Sequence, residues 1–163
     1  MSSLHVVLVE PEIHWNTGNA GRTCLAAGAQ LHLVRPLGFF LSGRQVKRAG
    51  LDYWPRVNPE IWSSWNEFAA ELPHLGEPFL FSAEAERDYW SVAYPERTVL
   101  IFGKESVGLP PEIRERHRDR LVKIPMMDPE IRSLNLSTSV ALASYEVMRQ
   151  RRSPSLPRPA SPG

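Results

Sequence analysis

The sequence predicts an α/β domain with a mostly parallel sheet flanked by helices. Apolar, β-branched runs such as Leu4–Val9 and Thr98–Phe102 are typical of strands buried on both faces of a parallel sheet. Helical segments lie between successive runs, which is the alternation that defines an α/β fold. A chain of 163 residues, 42% of them hydrophobic, is long enough for one such domain and too short for two ordinary ones.

Apolar periodicity, caps and breakers predict the order of the elements along the chain. Asn58 followed by Pro59 indicates a cap and a first helical position, and Ser133 or Ser137 can cap the last helix. Strands are expected at residues 4–9, 31–34, 79–82, 98–102 and 120–124, and helices at 17–30, 44–49, 58–72, 110–117 and 137–150. The domain then covers residues 1–150. The tail, residues 151–163, has four prolines and three serines and is expected to be disordered.

The composition excludes several classes of protein but does not identify a binding partner. The 19 basic and 18 acidic side chains nearly cancel, so any nucleic-acid surface must come from local clusters. The single cysteine, Cys24, excludes an intrachain disulfide and a cysteine-based zinc cluster, and we expect it to be a small buried hydrophobe in a reducing cytoplasm. The first apolar run stops at Glu10 and Pro11, well short of a signal or membrane segment, so we expect a soluble protein. We also expect no metal site.

Three polar segments each follow a predicted strand, at the edge where α/β sheets bind ligands. In the first, residues 16–23, Gly18 and Gly21 could let backbone amides approach a phosphate at a helix start. The dinucleotide fingerprint lacks its first glycine there, and a capped helix start explains the segment equally well.

The second segment, residues 102–110, fits neither a phosphate loop nor a hydrolase elbow, because the glycine, lysine and serine spacings fail. What remains is a tight loop with Glu105 between two glycines. The third segment joins Ile124–Met127 to a helix start that is rich in hydroxyl and amide groups.

Taken in order, the patterns N-x-G-N-x-x-R, F-G-x-E-x-x-G-L-P and R-S-L-N-L-S resemble the three motifs of the SPOUT methyltransferases. The closest likeness is the minimal TrmL (YibK-like) branch, and it covers residues 4–150. The resemblance implies an α/β fold with a deep C-terminal trefoil knot, and a homodimer that shares its active sites. It also implies S-adenosylmethionine as methyl donor, with S-adenosylhomocysteine as product, and 2′-O-methylation of the wobble pyrimidine nucleotide of tRNA.

The resemblance also implies roles for individual residues. Arg22 would contact the reacting ribose or a phosphate, while Asn16, Glu105, Asn135 and Ser137 would organise the site. The cofactor pocket would be lined by Phe81, Gly103, Leu109, Ile124, Met126, Ser133 and Leu134. The RNA surface would draw on Arg44, Lys47, Arg48 and Arg56, on a second cluster of Arg114, Arg116, Arg118 and Lys123, and on Tyr145 near the dimer interface.

Other functions remain open at this point. The same chemistry could act on ribosomal RNA or on another tRNA position, or the chain could be a non-catalytic RNA-binding module. The hypothesis of a nucleotide-dependent oxidoreductase would rest only on the first glycine segment.

The last helix favours a dimer, because it carries apolar or small residues on more than one face: Val140, Ala141, Ser144, Tyr145, Val147 and Met148.

Overall fold

A six-stranded parallel sheet forms the centre of the computed structural model, which describes residues 2–41 and 52–152. The strand order is β3-β2-β1-β5-β4-β6, and each of the five pairings is parallel. The predicted α/β class with a mostly parallel sheet is therefore confirmed. The strands are β1 (Leu4–Val9), β2 (Gln30–Val34), β3 (Glu60–Trp62), β4 (Glu77–Phe81), β5 (Thr98–Phe102) and β6 (Leu121–Val122).

Helices connect the strands and cover both faces of the sheet. They are α1 (His14–Ala27), α2 (Trp54–Val57), α3 (Trp65–Leu75), α4 (Pro111–Arg116) and α5 (Leu136–Arg152), with 3₁₀ turns at Tyr89–Ser91 and Arg118–Arg120. Helix α5 extends two residues beyond its predicted end. The predicted basic helix at 44–49 and the tail from residue 153 onward lie outside the described residues.

The predicted helix at residues 58–72 is wrong in its first half. Asn58 ends the short helix α2 in a left-handed conformation with φ 43°, and residues 60–62 form β3 beside β2. Helix α3 begins only at Trp65, where the Ser64 hydroxyl accepts the Glu67 N–H and the Glu67 carboxylate accepts the Ser63 N–H. This pair resembles a capping box in which the glutamate binds the residue before the cap, and it defines a helix start more strongly than Asn58 and Pro59 do.

Side chains of β1 alternate between two apolar cores, one on each face of the sheet. Leu4, Val6 and Leu8 pack with residues of α1 and α5, while Val7 and Val9 pack with residues of α3 and α4. Each fully buried side chain of this size stabilises the fold by about 1.5–3 kcal/mol relative to exposure. Such burial on both sides leaves the strand ends and their loops as the places available for ligands.

Cys24 lies in the core between α1 and the sheet, as predicted, with 1% of its surface exposed. Burial raises the pKa of its thiol to about 12, so the group stays protonated and unreactive at neutral pH.

Two buried histidine rings and the half-buried Trp62 ring form a hydrogen-bonded chain through β1, β2 and β3. Trp62 Nε1–H donates to His32 Nδ1 at 3.1 Å, and His32 Nε2 lies 2.9 Å from His5 Nδ1. Because His32 Nδ1 accepts, its proton resides on Nε2 and is donated to His5. His32 is fully buried, and this burial lowers its pKa to about 3.

Within residues 2–41 and 52–152, no helix combines the length and the apolar character needed to cross a membrane.

Candidate active site

The carboxylate of Glu105 connects the loop after β5 to the loop after β1. These two strands are neighbours in the sheet, so their carboxyl ends meet at one edge. Glu105 Oε1 accepts the Glu12 N–H at 2.8 Å, and Oε2 accepts the Ile13 N–H at 2.8 Å and the Asn16 side-chain amide at 3.2 Å. Both oxygens of this carboxylate therefore accept hydrogen bonds from the loop after β1 or from Asn16 of the first motif.

A second carboxylate makes the reciprocal connection. Glu12 Oε1 accepts both the backbone N–H of Ser106 at 2.8 Å and its hydroxyl at 2.6 Å. These hydrogen bonds hold the pKa of the Glu12 carboxyl below its usual range. Each of the two loops thus carries a glutamate that binds the backbone of the other.

Asn16 extends the network to the start of α5. Its side chain is buried, with 2% exposed, and its Oδ1 accepts the Asn135 side-chain amide at 3.0 Å. Asn135 Oδ1 in turn accepts the Ser137 N–H at 2.9 Å, the Ser137 hydroxyl at 2.6 Å and the Thr138 N–H at 3.3 Å. The predicted organisers Asn16, Glu105, Asn135 and Ser137 therefore form one connected network.

The capping residue of α5 differs from the prediction. Asn135, rather than Ser133 or Ser137, accepts the free amides of the first helical turn. Ser137 instead donates its hydroxyl to the capping oxygen.

The loop after β5 folds back closely on Gly103. A Cβ at this position would lie 2.1 Å from the carbonyl carbon of Gly108 and 2.1 Å from the nitrogen of Leu109. Gly108 itself has φ 74°, a left-handed conformation that favours glycine. The two glycines therefore allow a compact turn whose backbone groups lie at the carboxyl edge of the sheet.

Residues expected to line a cofactor pocket lie at the ends of β4, β5 and β6. The Phe81 ring stacks on Phe102, with ring centres 4.5 Å apart, and it remains half-buried. Leu109 is buried, with 2% exposed, and Ile124 packs against the core. Met126, Ser133 and Leu134 belong to the irregular segment between β6 and α5, where Met126 is half-buried and the other two are exposed.

Arg22 lies on the exposed face of α1, outside this network. Its guanidinium carbon Cζ lies 5.8 Å from the centre of the Tyr53 ring, whose hydroxyl donates to the Gly18 carbonyl at 3.1 Å. Among the described residues, no hydrogen bond joins Arg22 to Glu105 or Asn16. Six residues of helix separate Arg22 from Asn16, an axial rise of about 9 Å. One chain therefore does not bring Arg22 to the organising residues.

Neither interpretation of the first glycine segment, a phosphate approach at a helix start or a capped helix start, is confirmed. Gly18 and Gly21 lie buried inside α1 rather than at its start, and the amides before the helix bind Glu105. A Cβ on Gly21 would lie 2.9 Å from the Trp54 ring and 3.2 Å from Val57. Gly21 therefore serves the close packing of α1 against α2.

The predicted RNA-binding residues are only partly described. Arg44, Lys47 and Arg48 lie outside the described residues, and Tyr145 is 49% exposed on α5. In the second cluster, Arg114 pairs with Glu84 and Arg118 with Glu115, which partly neutralises its charge, while Arg116 is exposed.

Glu12 and Ser106 join the two loops, and sequence reasoning assigned them no role. A signal for Glu12 existed, because a carboxylate three residues after the end of a buried parallel strand lies near the ligand-binding edge. In the described part of the chain, no three His, Cys, Asp or Glu side chains are grouped so as to hold a metal ion.

Comparison with known proteins identifies relatives of similar length and fold. The profile of the SpoU rRNA Methylase family matches residues 3–145. A protein of Methylovorus glucosotrophus named tRNA (cytidine(34)-2'-O)-methyltransferase is 43% identical over 89% of this chain and 94% of its own length. A protein of Synechocystis sp. is 46% identical over 91% of this chain and 97% of its own length.

Solved structures extend the likeness to three dimensions. One that is described as giving insights into the 2-OH methylation of C/U34 on tRNA has a TM-score of 0.84 and 47% identity, over 91% of this chain and 95% of that one. An AdoMet-bound rRNA methyltransferase from Sinorhizobium meliloti shares the fold, with a TM-score of 0.73 at 24% identity, over 91% of this chain and 56% of that one.

Proposed function

The chain belongs to the SpoU rRNA Methylase family, and we propose that it methylates the ribose 2′-oxygen of the wobble nucleotide of tRNA, a cytidine or uridine. The membership confirms the family that the three motifs predicted. The observation that carries the activity is the network through Glu105, Asn16 and Asn135, which joins one residue from each motif. The choice of nucleotide is supported by the Methylovorus relative, whose name specifies cytidine 34. A tRNA substrate also implies a cytoplasmic protein.

Residues at the carboxyl ends of β4, β5 and β6 fit S-adenosylmethionine as the methyl donor. Phe81 and Ile124, both half-buried, would offer apolar surface to the adenine ring, and the compact turn at Gly103 would offer backbone hydrogen-bonding groups, while Leu109 is buried in the same turn. Met126, Ser133 and Leu134 would close this pocket from the segment before α5. The same contacts would hold the product, S-adenosylhomocysteine, which lacks only the transferred methyl group.

When bound, S-adenosylmethionine supplies a methyl group activated on a sulfonium, so the chain's tasks are to position the ribose and assist loss of its proton. Glu105 is poorly suited to accept that proton, because both its oxygens already bind amides of Glu12, Ile13 and Asn16. It acts as a positioning residue that holds the first and second motifs together, while Asn16 and Asn135 extend this order to α5.

Arg22 contacts the reacting ribose or an adjacent phosphate in this proposal. A guanidinium is a poor base but a persistent positive charge, so it stabilises the oxyanion that develops as the hydroxyl proton leaves. Within one chain it lies apart from the organising network, which supports an active site completed by a second copy.

We therefore propose a homodimer. Large apolar side chains are exposed on both helices that cover one face of the sheet: 56% of Trp15 on α1, and 38% of Leu142 and 49% of Tyr145 on α5. Burial of these groups against a second copy would stabilise the assembly. Sedimentation at micromolar concentration is expected to give a dimer, and a monomer at that concentration would contradict the proposal.

A C-terminal trefoil knot also belongs to this proposal. The chain leaves β6 at one edge of the sheet and then returns to pack α5 on α1, which lies beneath the central strands. This return path supports threading of the last segment through an earlier loop, which proteins otherwise avoid.

The test is methyl transfer from labelled S-adenosylmethionine to bulk tRNA that lacks the wobble modification, with the product nucleotide mapped. We expect label on the wobble ribose, abolished by Arg22→Ala and retained by Arg97→Gln, which removes an exposed positive charge near the amino edge of the sheet. If only ribosomal RNA became labelled, the substrate would be ribosomal RNA and the tRNA assignment would be wrong. Absence of cofactor binding by calorimetry would favour a non-catalytic RNA-binding module, and tight NAD binding instead would favour an oxidoreductase.

A further inference from the structure

A cavity of about 340 Å³ lies at the carboxyl ends of β1, β2 and β3, beside the network described above. Its polar lining includes Glu10, Arg35, Ser63 and Asn66, and the Trp65 ring forms part of its wall. The residues assigned to the cofactor lie instead at the ends of β4, β5 and β6. The cavity is therefore separate from the proposed cofactor pocket, although both open on the same edge of the sheet.

Backbone hydrogen bonds hold the cavity in place. The Glu10 N–H donates to the Val34 carbonyl at 2.8 Å, and the Arg35 N–H donates to the Trp62 carbonyl at 2.9 Å, so the ends of three strands are tied together. Trp65 is held from behind by Phe68, with ring centres 5.4 Å apart. The cavity is thus a feature of the sheet edge and its flanking helix, and it does not depend on one long side chain.

The chemistry of the lining favours a neutral, planar, polar ligand. Arg35 offers hydrogen-bond donors, Glu10 offers acceptors, and the Asn66 amide offers both. The Glu10 carboxylate opposes the entry of a free phosphate, and the Arg35 guanidinium opposes that of a cation. A nucleobase has this combination of a neutral ring with donors and acceptors on its edge, and unpaired bases are what proteins recognise in RNA loops.

The loop after β1 contributes both to the cavity and to the Glu105 network. Two residues after Glu10, the amides of Glu12 and Ile13 bind the Glu105 carboxylate. The segment after β2 packs directly on the same loop, because the Gly38 N–H donates to the Pro11 carbonyl at 2.9 Å. A base held in the cavity would therefore contact the same loop that leads to Asn16.

We propose that this cavity binds the base of an unpaired nucleotide that flanks the methylated one, so that RNA is recognised beyond the reacting ribose. The inference depends on the proposed methyltransferase activity and deepens it. Arg35 and Asn66 are then specificity-determining residues that contact the base edge, and they take no part in the transfer itself.

The test compares the variants Arg35→Gln and Asn66→Ala with wild type on an anticodon stem-loop RNA. Further substrates each have one loop nucleotide next to the methylated one made abasic. Arg97→Gln is the matched control, because it removes the same charge from an exposed position near the amino edge of the sheet. Both substituted positions are exposed, so the variants should fold normally.

We expect each variant to raise the KM for the parent RNA by about fivefold or more, with kcat and the affinity for S-adenosylmethionine unchanged. On the RNA that is abasic at the recognised position, wild type and variants should have the same KM. If Arg35→Gln behaves like Arg97→Gln, or if the variant defect persists equally on every abasic RNA, the inference is wrong while the proposed function stands. If wild type methylates no RNA, both fail.

Discussion

The two glutamates that join the first and second motifs should respond differently to the same substitution. Glu105 uses both carboxylate oxygens as acceptors, one for Glu12 and the other for Ile13 and Asn16. In Glu105→Gln, one of these oxygens becomes an NH₂ group that faces a donor. Glu12 uses a single oxygen for both bonds to Ser106, and the carbonyl of Glu12→Gln can accept both of them.

The expected loss for Glu105→Gln follows from these contacts. A hydrogen bond to a charged group contributes about 1.5–3 kcal/mol, and a donor left without a partner adds to the loss. The site is only partly buried and water can replace part of the bond, so we expect a fall of about 2 kcal/mol in the free energy of unfolding. For a chain of 163 residues, this corresponds to a Tm lowered by about 4–8 °C. Displacement of Asn16 should also lower kcat/KM for tRNA by about 100-fold.

Thermal unfolding and methyl transfer, measured side by side on both variants, test this reasoning. Glu12→Gln should unfold close to the wild-type temperature and retain most of its activity. Equal losses in the two variants would show that charge, rather than the geometry of the acceptors, holds the loops together, and would refute the argument.

Three further predictions concern the cofactor turn, pH and helix packing. Gly103→Ala should reduce the affinity for S-adenosylmethionine in calorimetry at least about tenfold, since its Cβ would lie 2.1 Å from backbone atoms. His32 has a folded pKa of about 3, so it stays neutral in the folded protein while the unfolded imidazole becomes protonated below pH 6.5. The free energy of unfolding, measured with urea, should therefore fall by up to about 1.4 kcal/mol per pH unit as the pH is lowered from 6.5 toward 3. His32→Asn should lessen this slope. Gly21→Val should destabilise by about 1–3 kcal/mol in urea unfolding by forcing Trp54 away, and exposed Ala26→Val should cost less.

Much of the fold could be predicted from the sequence, because buried parallel strands have a strong local signal. The strands at Leu4–Val9 and Thr98–Phe102 have the predicted bounds, since each is a continuous apolar run with clear breakers after it. The strand Glu60–Trp62 was missed because it has only three residues, and the apolar residues from Ile61 to Leu72 continue a helical spacing through it. Ser64 and Glu67 marked the true helix start.

The identity of the site residues could be predicted from the sequence, but the contacts between them could not. Glu105 and Asn16 are 89 positions apart, and Asn16 and Asn135 are 119 apart. Their contact depends on β1 and β5 being neighbours, which local pattern does not specify because the chain could have placed β4 between them. The separation of Arg22 from Asn16, in contrast, follows from local helix geometry, because both residues lie on α1 six positions apart.

The contact between Asn16 and Asn135 has a consequence for synthesis of the protein on the ribosome. It joins an early segment to the start of the last helix across 119 positions of chain. A nascent chain that has been exposed as far as β6 holds Asn16 and Glu105 but lacks Asn135, their third partner. The organising network should therefore be completed only in a late step, when α5 docks, so that unfinished chains lack an ordered site.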